Sequence, residues 1–368
     1  MEHTIQSTSD DTVGLSQPPS KTNTNAQSKK FLIIRLSSIG DIVLTTPIVR
    51  CLKTKFPNSQ VHYLTKQSNA SILENNPYID KIHTYNKDIG IHSLIKELRK
   101  EDFDFIVDLH KNLRSLRIYL ALRKPRGTFN KLNLQKWFYV RTKKNVLPNI
   151  HIVDRYFSAV KSLNVENDGK GLDFFLQDED YISRDALPLS FAEGYIAIAV
   201  GAKHITKQIP TDILIAICEK IEGNILLLGD INDKIKANKV ENAIGSRVFN
   251  GCGAYSLPQT AALIDTSKGL ITADTGLMHI GAALKKNIIS IWGSTVPEFG
   301  MYPYFPQASK ENDASNNGYE SHIFEVNNLR CRPCSKLGYK RCQRVHFKCM
   351  KQQDTLRIAQ VANTWLKC

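Results

Sequence analysis

The sequence predicts an α/β protein of two domains, each with a parallel sheet covered by helices, and three observations predict it. Short apolar runs rich in branched and aromatic residues alternate with stretches of helical periodicity. The alternation fills the first half, stops across an irregular segment from Asn164 to Glu193, and then restarts. A chain of 368 residues is also long enough for about two hydrophobic cores. The simplest arrangement places the two domains face to face across a cleft.

Residues 1–30 are polar and predict a disordered tail, with no apolar core of a secretory signal. The first domain spans 31–175. Its strands are expected at Phe31 to Leu36, Gln60 to Thr65, Lys81 to Tyr85 and Phe103 to Leu109. Between the first two, Leu44, Ile48, Leu52 and Phe56 recur every four residues, as one face of a helix does. Ile91 to Lys100 predicts another helix. The second domain spans 176–350. Its strands are expected at Tyr195 to Val200, Asn224 to Leu228, Arg247 to Phe249, Gly269 to Ala273 and Asn287 to Trp292. The intervening helices are expected at Thr211 to Ile221, Asp233 to Ala243, Pro258 to Ile264 and Leu277 to Leu284. Pro303 to Ser321 reads as a surface loop, and residues 351–368 as a last helix that packs back on the first domain.

Composition narrows the partners. No apolar run reaches eighteen residues, so no helical membrane span is expected, and a cytoplasmic location follows as an expectation. The net charge of +14 is concentrated, with eleven Lys or Arg and no acid from His110 to Lys144, and eight and none from Arg330 to Lys351. Such segments attract phosphates or carboxylates on nucleic acid, lipid or acidic glycolipid.

Three stretches carry chemistry. In "RLSSIGDIVLTTP" a strand ends and a helix begins at Asp41, on the edge where open α/β sheets bind ligands. In "GLITADTGLMHIGAAL" a strand ends at Asp274 and turns through Thr275 and Gly276 into a helix carrying His279. Free amides there, with a glycine that admits close approach, suit a phosphate. The alternative is that Asp274 or Thr275 is an N-cap and His279 a core histidine. In "AVGAKHITKQIP" a loop after a strand gathers Lys203, His204 and Lys207, and a lysine there can neutralise a leaving diphosphate.

With "DLHKNLRS" from Asp108 and "IWGSTVP" from Ile291, these motifs resemble the lipopolysaccharide heptosyltransferases of glycosyltransferase family 9. The resemblance covers most of the chain from Phe31. It implies the GT-B architecture, two Rossmann-like domains with an acceptor-binding N-terminal half and a nucleotide-sugar-binding C-terminal half. It implies Asp41 as catalytic base; Lys207, Asp274, Thr275, Gly276 and His279 at the donor; Asp233 on the nucleotide ribose; and Lys111 and Arg114 at the acceptor. The implied donor is ADP-heptose, and the implied acceptor is acidic Kdo-lipid A or its heptosylated form. Peripheral contact with the cytoplasmic face of the inner membrane follows from that lipid. Where the family commonly reads K-R-W-P this chain has Lys207-Gln208-Ile209-Pro210, which bears on donor preference.

No D-x-D pair is placed at the phosphate-binding turn to hold a divalent metal there, so no cofactor is expected for transfer. Cys331, Cys334, Cys342 and Cys349 have spacing that admits a structural zinc, or thiols that simply pack or pair. A nucleic-acid-binding protein is the reading outside enzymology, suggested by the basic segments and by Trp137, Phe138 and Tyr139 among lysines. No named nucleic-acid module matches, and no nucleic-acid partner is expected. A nicotinamide-dependent oxidoreductase is disfavoured because Ser37-Ser38-Ile39-Gly40 stands where a glycine-rich fingerprint is required. Another GT-B nucleotide-sugar transferase is the nearest alternative.

Overall fold

A computed structural model describes residues 28–183, 186–307 and 318–367. Residues 1–27 of the expected tail and 308–317 of the expected surface loop lie outside the described residues.

The first sheet contains β1 (Lys30–Ile34), β2 (Gln60–Lys66), β3 (Lys81–Tyr85), β4 (Phe105–Asp108) and β5 (Arg126–Thr128), all parallel, in the order β3-β2-β1-β4-β5. Phe31 to Ile34 are wholly buried, because a central parallel strand is covered on both faces and needs an uninterrupted apolar run. The chain leaves β1 toward β2 and β3 and returns to β4 on the other side. The gap between β1 and β4 is therefore the switch point, where loops diverge and leave a crevice.

The helix expected after β1 is two helices, α1 (Ile39–Val43) and α2 (Thr46–Lys55). Pro47 lies in the first turn of α2, where its missing N–H costs nothing and a new helix starts easily. Further along come α3 (Ile91–Lys100), α4 (Leu113–Leu122), α5 (Asn133–Thr142) and α6 (Ile152–Tyr156). The short edge strand β5 was not expected. Its Gly127 sits where an added Cβ would lie 1.7 Å from the Ala159 carbonyl oxygen.

The second sheet contains β6 (Tyr195–Ala199), β7 (Asn224–Leu228), β8 (Val248–Asn250), β9 (Gly269–Ala273), β10 (Ile288–Trp292) and β11 (Ser321–Glu325), again parallel, in the order β11-β10-β9-β6-β7-β8. Its switch point lies between β6 and β9. Helices α7 (Thr211–Cys218), α8 (Lys234–Ile244), α9 (Leu257–Thr266) and α10 (Gly276–Ala283) cover it. β11, also not expected, is an edge strand of mixed polarity that begins where the polar loop ends.

After α11 (Lys348–Lys351), the last helix, α12 (Thr355–Leu366), corrects an expectation. It packs on the second domain, not the first. Ile358, Ala359, Val361, Ala362 and Trp365 are buried in that domain's core, and an added Cβ on Gly269 would meet the Trp365 ring at 2.3 Å. Asn363 fixes the end through hydrogen bonds with the Glu222 N–H and the Lys220 carbonyl, each 3.0 Å. The helix has one apolar face, and the second sheet's α7 side offers the surface that buries it.

The two halves meet through α1 and α10. A Cβ on Gly276 would lie 2.9 Å from the Ile39 Cβ and 3.2 Å from the Gly40 nitrogen. A Cβ on Gly40 would lie 2.4 Å from His279 Cδ2. Both positions need a residue without a side chain for backbone to approach backbone.

Candidate active site

Asp41 is the third residue of α1, and its carboxylate is fixed from two sides. Oδ2 accepts the Ser38 N–H at 3.0 Å and Oγ–H at 2.7 Å, while Oδ1 pairs with Arg35 Nη2 at 2.5 Å. The capping-box role therefore exists, but it does not exhaust the residue, since a fifth of the side chain is still accessible. Arg35 is buried and also donates to the carbonyls of Ser37 and Leu109. Burial pushes the Asp41 carboxyl upward; the Arg35 charge and the two Ser38 hydrogen bonds outweigh it and leave the pKa lowered. Asp41 is thus an anion at neutral pH.

Across the interface, the loops after β6 and β9 converge. Lys207 Nζ lies 2.6 Å from Asp274 Oδ2, which also accepts the Thr295 hydroxyl at 2.8 Å. Asp274 is therefore the holder of Lys207, not an N-cap. Thr275 is the N-cap by backbone position, but its side chain makes no capping bond and instead meets Thr272 Oγ1 at 3.0 Å. The first amides of α10 are left available for an anion. His279 is 2% exposed and its Nδ1 has no partner. Burial pushes its pKa down to about 4, with Asp274 and Asp41 pulling weakly the other way, so it is a neutral imidazole.

Asp233 turns inward. A Cβ on Gly201 or Gly229 would lie 1.9 or 2.7 Å from its Oδ2, which accepts the Asp230 N–H at 3.1 Å. Burial raises its pKa. It braces the loops after β6 and β7 and does not touch Lys207 or Asp274. The departure at Gln208-Ile209 is also structural: Ile209 is fully buried and Gln208 Nε2 donates to the Ala202 carbonyl at 2.8 Å.

The residues expected at the acceptor separate. Asp108, fully buried, accepts the N–H groups of His110 and Lys111 at 3.1 and 2.7 Å and the Ser115 hydroxyl at 3.0 Å. It therefore builds the turn carrying Lys111. Lys111 Nζ donates to the Phe129 carbonyl at 3.0 Å. Arg114 stands over the Tyr85 ring at 5.7 Å, in a groove with Lys66 and Lys87.

Residues that sequence reading missed stand between these groups. Arg155 is 9% exposed, its Nε and Nη1 have no partner, and Nη2 donates to the Phe299 carbonyl at 3.0 Å. Lys136 lies over the Phe299 ring, and burial, followed by the Arg155 charge, pushes its pKa down to about 8. Asp41 and Asp274 both act on it, so it sits between the two halves. A lysine with a lowered pKa loses its charge as pH rises through that value. Affinity for an anionic ligand is expected to weaken between about pH 7 and 9, and Lys136→Arg to abolish that weakening. Titration calorimetry across that range checks it.

The cysteine loop supports the loop that carries Lys207. Thr206, beside Lys207, exchanges hydrogen bonds with Tyr339, whose N–H reaches Thr206 Oγ1 at 2.7 Å while the Thr206 N–H reaches its carbonyl at 3.1 Å. The Cys334 N–H donates to the Ser294 carbonyl at 2.9 Å. Cys331, Cys334, Cys342 and Cys349 are free thiols. Burial pushes Cys334 up to about 11 and Cys349 up to about 12. Among the described residues no three of these sulfurs lie within 4.8 Å of one another; the one such ligand group is His62, His83 and Glu101. As placed, the thiols do not close a metal shell. Glu101 in that other group is already paired with Lys30 and Lys81, at 3.2 and 2.5 Å.

Two parallel sheets meet at their switch points, one bringing a fixed carboxylate, the other a lysine and an open helix N-terminus: this is the GT-B class of glycosyltransferases. The chain belongs to glycosyltransferase family 9 (heptosyltransferase), whose family model matches residues 91–328. It is 24% identical over 275 residues to lipopolysaccharide heptosyltransferase 3 of Escherichia coli K12, covering 70% of this chain and 80% of that one. Its fold is similar to a family 9 glycosyl transferase from Veillonella parvula, with a TM-score of 0.70 and 18% identity over 92% and 97% of the two chains. It is also similar to E. coli ADP-heptose lps heptosyltransferase II, with a TM-score of 0.66 and 17% identity over 92% and 98%.

Proposed function

We propose that this enzyme moves heptose from ADP-heptose to the inner core of lipopolysaccharide, on Kdo-lipid A or heptosyl-Kdo-lipid A, with inversion. The observation that carries the reading is the opposition of Asp41 to the Lys207–Asp274 pair and the uncapped start of α10. The names of the relatives supply the sugar, nucleotide and acceptor class.

An acceptor hydroxyl attacks the anomeric carbon while Asp41 takes its proton, and the bond from that carbon to the diphosphate oxygen breaks. One carboxylate suffices for a single displacement, unlike the paired acids of retaining glycosidases. ADP leaves as an anion, met by Lys207 and the amides of Gly276 and Leu277. The charge of Lys136, which lies between the two halves, gives an acidic substrate group a further partner.

The test is a donor screen with purified protein and Kdo-lipid A. ADP-heptose is expected to be consumed and other nucleotide sugars to be poor. Turnover of a UDP- or GDP-sugar with ADP-heptose inert would replace this reading by that of another GT-B transferase. Because protein cations serve the diphosphate in this scheme, transfer is expected to persist in chelator. A strict need for added Mg2+ would show the phosphate contacts to be misassigned. Zinc, if elemental analysis finds it, would leave the assignment of the phosphate contacts unchanged.

A further inference from the structure

The loop that follows β10 is held by its carbonyls. Those of Gly293, Ser294 and Thr295 all accept from residues 332–334 of the cysteine loop. Arg332 Nε donates to the Gly293 carbonyl at 2.7 Å, the Cys334 N–H to the Ser294 carbonyl at 2.9 Å, and Arg332 Nη2 to the Thr295 carbonyl at 3.1 Å. Buried carbonyls leaving the end of a strand need partners, and here one guanidinium supplies two of the three. Arg332 Nη1 also donates to the Val326 carbonyl at 2.9 Å and Nη2 to Glu325 at 2.7 Å, so the side chain, 7% exposed, is fixed along its whole fork.

The loop so held reaches Lys207 by two routes. Thr295 donates its hydroxyl to Asp274, and Asp274 holds Lys207. Ser294 donates its hydroxyl to Thr206, the neighbour of Lys207, at 2.9 Å. Ser294 and Thr295 are each 2% exposed, so their effect passes through Lys207 and not through contact with a ligand. Lys143, at the end of α5 in the first domain, donates to the Pro333 carbonyl at 2.6 Å, which ties the same short segment to the other half. We propose that Arg332 is a positioning residue for Lys207: by clamping the carbonyls on either side of Ser294 it aims Thr295 at Asp274, and so fixes the ammonium that meets the diphosphate. The inference rests on the proposed function for that role of Lys207. Arg332→Lys keeps the charge beside Glu325 but loses the planar fork that spans the two carbonyls.

The probe is inorganic pyrophosphate, which carries the diphosphate charge without base or sugar, so an error in the proposed donor leaves the test standing. Its affinity is measured by titration calorimetry on the full chain for the parent, Arg332→Lys, Lys207→Ala and the double variant, with a melting curve for each. Arg332→Lys is expected to weaken pyrophosphate binding by roughly threefold to tenfold when Lys207 is present, and by less than about twofold when it is alanine, because residues acting through one chain are not additive. Equal losses in the two backgrounds, or an Arg332→Lys protein that binds like the parent, would overturn the proposal and leave Lys207 in its role. A Lys207→Ala protein that binds pyrophosphate as well as the parent would overturn the phosphate site itself, and this inference with it. Where Arg332→Lys folds poorly, Arg332→Gln with Glu325→Gln, which leaves no unpaired carboxylate, enters the same cycle and must show the same non-additivity.

Discussion

If Asp41 is the general base proposed above, Asp41→Asn is expected to lower sugar transfer by roughly a hundredfold or more, while donor affinity measured by calorimetry stays near that of the parent. Asparagine can still accept the Ser38 N–H, so the start of α1 keeps its cap. The Arg35 ion pair is lost, at a cost of roughly 1–3 kcal/mol. The figure is held below that of a fully buried pair because Asp41 is a fifth exposed and Arg35 keeps two carbonyl partners. A melting curve separates that cost from the rate. With its pKa lowered, Asp41 adds stability that is present above its unfolded pKa and is lost as pH falls through the folded value. Rate assays down to mildly acid pH should therefore show no loss attributable to its protonation. An Asn variant that folds, binds donor and transfers at near the parent rate would reduce Asp41 to a capping-box acid.

Lys207→Ala is expected to weaken donor binding and to slow turnover, each by roughly tenfold or more, because in the proposed mechanism its charge acts on the diphosphate before and during departure. The structure adds a second cost. With the ammonium gone, Asp274 keeps only Thr295 and presents an unbalanced carboxylate to the phosphates. Adding Asp274→Asn to Lys207→Ala should recover part of the donor affinity without recovering the rate. Donor dissociation constants and single-turnover rates for the two variants distinguish this from a collapsed loop, in which neither quantity recovers.

What the sequence made legible were the features set by local pattern. β1 shows as four consecutive apolar residues because both its faces are covered, and the positions of Asp41, Asp274 and Gly276 follow from strand-to-helix turns. β5 and β11 escaped because edge strands of mixed polarity need no apolar run. The break at Pro47 was visible as a residue but hidden by the four-residue rhythm that continues through it. Lys136 was visible only as one of eleven basic residues in its segment, and Arg155 carried no signal. Their burial arises where residues 150–156 meet residues 297–302, contacts such as the Ile152 N–H to the Gly300 carbonyl at 2.8 Å, and no local pattern encodes such a meeting. The helix α12 was expected in the right place along the chain and on the wrong domain. An amphipathic stripe states that a partner exists, not which one.

The Gly40–Gly276 approach works as a spacer of minimum width. An added Cβ on Gly276 would meet the Ile39 side chain at 2.9 Å, and one on Gly40 would meet the His279 ring at 2.4 Å. Alanine at either position must push α1 and α10 apart, so the gap between the carboxylate of Asp41 on one half and the Lys207–Asp274 pair on the other is set by the absence of two methyl groups.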